Sequence, residues 1–158
     1  MSQPVADATP NDAAAKSSSP TKRSTYIYAA VALVALLGLA DATYLTIEHI
    51  TGQSVRCTIV AGCSEVLSSR YATVAGMPLA MIGATAYFTV FALATLAAFN
   101  YKVAGTLLNL MVLAMALVSL WLIYLQAFVI RSFCQYCLLS AAVTFVLAFL
   151  LLFRWRKA

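Results

Sequence analysis

The chain has 158 residues, 63% of them hydrophobic and 9% charged, with a formal net charge of +5. A water-soluble globule needs a polar shell, usually about 25% charged residues, so this composition argues against one. Nor does the positive charge indicate nucleic acid. The basic residues sit at the ends of apolar segments, as membrane anchors do, and form no binding stripe.

Residues 1–24 are rich in Ala, Ser, Pro, Thr and Asp, too polar to bury, and are expected to be a disordered tail. The tail is too long and polar before the first apolar run to read as a cleaved signal peptide. Apolar segments follow at 26–47, 78–100, 103–130 and 134–153. Each reaches the ~20 residues a helix needs to cross a bilayer, where backbone amides must be satisfied internally. The expected fold is therefore all-α: a polytopic membrane four-helix bundle over residues 25–153, with a short basic tail at 154–158. Of the ten basic residues, seven (Lys16, Lys22, Arg23, Lys102, Arg154, Arg156, Lys157) fall on one side, against Arg56, Arg70 and Arg131 on the other. The positive-inside tendency then makes both termini cytoplasmic in a multi-pass protein of the inner or plasma membrane. All four cysteines lie on the outer face, where disulfides persist.

The connection over residues 48–77 is long, and loops of that length are uncommon without a role. It carries Cys57 and Cys63. Residues 64–71 suggest a short helix with Val66, Leu67 and Tyr71 toward apolar surroundings. Gly76-Met77-Pro78 reads as the turn into the second span, with Pro78 in its first helical turn. The later connections, near Lys102 and Arg131, are short, so the last three helices are antiparallel neighbours.

The cysteines carry the chemistry. Cys134 and Cys137 form a Cys-Gln-Tyr-Cys at the start of the fourth span. Unpaired amides, the helix dipole and nearby Arg131 all favour a thiolate there, the attacking form in thiol–disulfide exchange. Cys57 and Cys63 flank a short apolar stretch ending in Gly62, which can turn, and a disulfide across it is sterically plausible. A mobile loop of this kind can accept electrons from external thiols and reduce Cys134–Cys137. Quinone, the abundant two-electron acceptor in a bilayer, would dock beside Cys137. Two other uses of the same cysteines remain open here: structural disulfides in a non-catalytic assembly protein, and a zinc site, for which the five-residue spacing of the first pair is poor. Electron flow could also run outward, exporting reductant.

Asp41 is the only acid within a span. A carboxylate in lipid costs at least ~2.5 kcal/mol, so it should face the bundle or outer interface, in a structural role or as part of a proton relay. His49 is expected to be a solvated loop residue. Asn109 and Gln126 can bond across helices as packing elements. Tyr87, Trp121, Tyr124 and Phe128 are expected to pack between helices or to meet lipid.

Cys63-Ser64-Glu65-Val66-Leu67-Ser68-Ser69-Arg70-Tyr71 resembles the loop signature of the vitamin K epoxide reductase family. Asp41, Tyr44-Leu45-Thr46, Gly76-Met77-Pro78 and Cys134-Gln135-Tyr136-Cys137 resemble its bacterial branch. The resemblance implies a four-helix bundle around a quinone (ubiquinone or menaquinone). It also implies an enzyme that reoxidises a separate thioredoxin-fold, DsbA-like protein. It further implies that Cys57 exchanges with that partner, Cys63 shuttles to Cys134, Cys137 passes electrons to quinone, and Ser69 supports the loop near the quinone. Vertebrate members have a tyrosine where this chain has Ala141 and an asparagine near Leu79, which points to a respiratory quinone in place of vitamin K epoxide. The direction agrees with energetics. A DsbA-like protein near about −120 mV needs an acceptor of higher potential, which a quinone supplies and glutathione does not.

Overall fold

The computed structural model describes residues 22–52, 57 and 62–155. Most of the expected amino tail, the 58–61 stretch between the loop cysteines, and residues 156–158 lie outside the described residues. Four long apolar helices dominate: α1 (Lys22–Thr51), α3 (Leu79–Ala98), α4 (Lys102–Tyr124) and α5 (Gln135–Trp155). Between α1 and α3 lie a short helix α2 (Cys63–Ser68), a 3₁₀ turn (Arg70–Ala72) and two two-residue strands, β1 (Thr73–Val74) and β2 (Met77–Pro78). Each long helix, counting the turn that follows α4, is long and apolar enough to span a membrane.

The helix ends follow local chemistry. Gly52, at φ 68°, caps α1 in the left-handed conformation. Asn100, at φ 71°, closes α3 with a Schellman motif. There Tyr101 N donates to Leu96 O (3.4 Å) and Asn100 N to Ala97 O (3.1 Å). The entry to α3 differs from the sequence expectation. Ala75 and Gly76, both at positive φ, form the two-residue turn of an antiparallel hairpin that pairs Thr73 with Pro78 and Val74 with Met77. Pro78 is consequently the extended N-cap residue (φ −59°, ψ 131°) and not part of the first helical turn. The α4 helix continues through Leu125–Ile130 as a π-helical turn and stops at Arg131, whose φ is 55°.

Small residues line the helix contacts. Ala35, Ala42, Ala94, Ala97 and Ala104 are buried with Val31, Val90, Leu108 and Leu147. Helices in lipid associate through close packing rather than a hydrophobic drive, which favours such residues. Gly38 has a specific reason: a Cβ there would overlap the Tyr87 ring. Meanwhile Leu33, Leu37, Leu110, Leu113, Leu117 and Phe149 are more than half exposed. So much outward apolar surface suits hydrocarbon, not water. Arg154 stacks over the Tyr28 ring at 4.5 Å, which joins the end of α5 to the start of α1. The cysteines occupy the opposite end.

Candidate thiol site and adjoining cavity

Cys134 is the N-cap residue of α5. Its carbonyl accepts the first helical hydrogen bond, from Leu138 N at 3.0 Å, and its Sγ accepts from Cys137 N at 3.4 Å. Sulfur here takes the role that a Ser or Asp oxygen plays in an ordinary cap. The Cys134 thiol is lowered to about 7, first by the hydrogen bond from the Cys137 thiol and further by the Cys137 and Tyr136 amides. Burial and the Asp41 charge oppose that lowering. Arg131 is exposed and is not among the causes, so its anticipated contribution is not the operative one.

The backbone of Cys134 is held by a residue read from sequence as a packing element. The π turn carries Gln126 inward, where it is 3% exposed and its Oε1 accepts from Cys134 N at 3.1 Å. An amide side chain eight residues before the first cysteine of the pair, within an apolar run, was the available signal. The π turn that aims it has no such signature.

Cys57 and Cys63 are joined as a disulfide, whereas Cys134 and Cys137 are free thiols. Cys63 begins α2 and is buried with Cys134, Leu45 and Val66, while Cys57 and Cys137 pack at the edge of that cluster. Two contacts hold α2 there. A Cβ on Gly62 would lie 2.8 Å from Phe133 O, so only glycine allows this approach to the segment before Cys134. Ser132 Oγ donates to the Glu65 carboxylate. Gly62 was expected to turn; its closer function is to let two backbones meet.

Beneath the cysteines is a cavity of about 340 Å³. Cys137 faces it, together with Leu79, Met111, Met115, Leu122 and Ala141. Cys57, Cys63 and Cys134 are not among its lining residues. Ser69 also lines it, while its Oγ donates to Val66 O at 2.7 Å and so fastens the end of α2. Val66 is buried and Leu67 half-buried, and Tyr71, although partly exposed, lines the cavity with them. His49, expected to be solvated, belongs to the last turn of α1 and is half-buried in the cavity wall. Deeper in, the Tyr87 hydroxyl donates to Ser140 O (2.7 Å) and meets Ser140 Oγ and Thr144 Oγ1, each at 2.9 Å. Trp121, Tyr124 and Phe128 instead form an outward-facing aromatic row on α4 and its π turn.

A free dithiol at a helix N-terminus, a disulfide packed against it and an apolar cavity below define a multi-pass helical membrane protein with a thiol site at one end. The family model described as "Vitamin K epoxide reductase family" matches residues 29–152, and the chain belongs to that family. It is 37% identical over 121 residues to the thiol-disulfide oxidoreductase LTO1 of Arabidopsis thaliana. That alignment covers 71% of this chain and 32% of the relative, so the chain spans about a third of the relative's length.

Proposed function

We propose that the protein is a quinone-dependent thiol oxidoreductase. It takes electrons from a thioredoxin-fold, DsbA-like protein outside the cytoplasm and gives them to ubiquinone or menaquinone, which supports disulfide formation. One observation carries this reading: the order of the four cysteines. Cys57 stands at the edge of the cluster, Cys63 and Cys134 are buried together, and Cys137 alone of the four lines the cavity.

That order suits a sequence of exchanges. The partner's dithiol reduces Cys57–Cys63 and leaves oxidised. With Cys134–Cys137 as the disulfide, Cys63 attacks Cys134 and releases Cys137. Cys57 then attacks Cys63 and releases Cys134, restoring the loop disulfide. A low-pKa thiol leaves fastest, and Cys134 is the thiol lowered to about 7. The pairing in the structure, a loop disulfide beside a free dithiol, is the one that this exchange would leave. The dithiol is then ready to reduce an acceptor.

The size and lining of the cavity support a quinone as the acceptor. Small-molecule sites are typically about 300–1,000 Å³ and mostly apolar, and this one lies within that range with Cys137 on its wall. Ala141, where vertebrate members carry a tyrosine, and Leu79, near their asparagine, both line it and leave that wall apolar. This favours a respiratory quinone over vitamin K epoxide. Within the site, Cys137 is the electron donor, and Ser69 shapes the wall by closing α2.

The test is quinone absorbance during turnover with a reduced thioredoxin-fold partner and a short-tailed ubiquinone or menaquinone analogue. The wild-type protein should form quinol. Cys137→Ser should form none, while Cys63→Ala should trap a mixed disulfide between Cys57 and the partner. If the wild-type protein forms no quinol, the oxidase direction is wrong. If Cys63→Ala retains full turnover, the exchange sequence is wrong.

A further inference from the structure

Among the described residues, one buried side-chain polar atom has no hydrogen-bond partner: Oδ2 of Asp41. Buried polar atoms are nearly always paired, and an exception calls for an explanation. Its level in the bundle follows from contacts on either side. Along α1, Tyr44 meets the Tyr136 ring at 5.4 Å, and Leu45 is buried with Cys134. About two turns deeper, Gly38 lies against Tyr87, whose hydroxyl reaches Ser140 and Thr144. Since α1 and α5 run antiparallel, Asp41 falls between these two layers, at the level of Cys137. Cys134 and Cys137, at the start of α5, and Tyr87 on α3 are titratable groups within electrostatic reach of it.

We propose that Asp41 is the proton acceptor for the Cys134–Cys137 dithiol. This rests on the reading that the dithiol is oxidised by quinone. In that reaction two S–H bonds break, one S–S bond forms, and the quinone gains two electrons and two protons. One of the thiol protons is lost readily, because Cys134 is stabilised as a thiolate by its cap amides and by Cys137. The other is held between the two sulfurs and cannot be shed to either of them once they join. Asp41 receives it as the disulfide closes and releases it toward the reduced quinone; the second proton taken up by the quinone comes from solvent. Hydrogen-bond partners around Asp41 would stabilise its charge and weaken it as a base, so the unpaired oxygen suits this role.

The experiment uses the full chain in lipid, as wild type, Asp41→Asn and Asp41→Glu. Removing a negative charge beside Cys134 favours its thiolate, so Asp41→Asn should move iodoacetamide alkylation of Cys134 to lower pH. The same variant should form quinol about 10²-fold more slowly, the usual contribution of a placed base. Asp41→Glu should recover part of that rate. More thiolate with less turnover is a combination that loss of packing would not give. An unshifted alkylation profile, or wild-type turnover in Asp41→Asn, overturns the proposal. A folding defect in both variants would leave the wild-type measurement decisive: time-resolved infrared spectra during oxidation of the dithiol should show a protonated carboxyl band that rises and decays. No such band in wild type overturns the proposal. If the wild-type protein forms no quinol, the functional reading fails separately, and the alkylation shift and infrared band still decide whether Asp41 exchanges protons with the dithiol.

Discussion

At the scale of single residues, the two members of the Cys-Gln-Tyr-Cys motif are made unequal by one turn of helix. Cys134 stands at the N-cap, where amides point at its sulfur; Cys137 stands inside the helix and faces the cavity. The thiol of Cys134 is lowered from 9.0 to about 7. Below pH 7 its alkylation rate should fall about tenfold per unit, since the thiolate is the reacting form. The same shift links to stability. A depressed pKa means that folding favours the thiolate, so its contribution is full above pH 9 and lost as pH falls through 7. Thermal unfolding of the protein with a free dithiol should therefore move to lower temperature across that interval. Cys134→Ser should remove the dependence; if it persists unchanged, Cys134 is not its source. The existence of this site was legible in the sequence, because the spacing of the cysteines and the start of an apolar run are both local features. Part of the cause was legible as well, because amides at a helix start were expected to favour the thiolate; the larger contribution of the Cys137 thiol was not. Arg131 is near in sequence, but its left-handed backbone ends the π turn and leaves its side chain exposed.

At the scale of elements, the site is assembled by two irregularities. The π turn after α4 places Gln126 under Cys134 N, and Gly62 lets α2 close on Ser132 and Phe133. Gln126→Leu would leave a buried amide unpaired, at a cost of about 1–3 kcal/mol. It should lower the thermal midpoint, and Gln126→Glu, which keeps an acceptor, should lower it less. Gly62→Ala acts differently. Its Cβ would fall 2.8 Å from a backbone oxygen that cannot yield as a side-chain tip would. Overpacking of this kind costs about 1–3 kcal/mol, or roughly tenfold in the closed population per 1.4 kcal/mol. Rapid-mixing measurement of electron transfer from Cys57/Cys63 to Cys134–Cys137 should show a slowing of about that size, with little change in reaction between Cys57 and the partner. An equal slowing of both steps would mean that Gly62 only supports the loop fold. The four long helices were legible from hydropathy. The hairpin and π turn were not, because positive φ at Ala75 and a shifted hydrogen-bond register leave little mark on composition.

At the scale of the molecule, the four-helix arrangement separates a cysteine end from an end where Tyr28 meets Arg154 and Gly105. Reporter fusions should place both termini in the cytoplasm. In intact cells, a membrane-impermeant maleimide should label Cys57 after mild reduction. Labelling only after permeabilisation would reverse the orientation inferred from the positive charges.

The sequence by itself determined what depends on local order along the chain: four membrane-length helices, two cysteine pairs at one end, and the family signature between residues 63 and 71. Tertiary structure decided which cysteine faces which neighbour. It alone buried Cys63 with Cys134, turned Cys137 to a cavity, aimed Gln126 at the Cys134 amide, and set Asp41 at the level of Cys137 without a hydrogen-bond partner for Oδ2. Such relations join residues dozens of positions apart. They follow from helix rotation and depth, which hydropathy leaves undetermined when apolar residues surround each helix on every side.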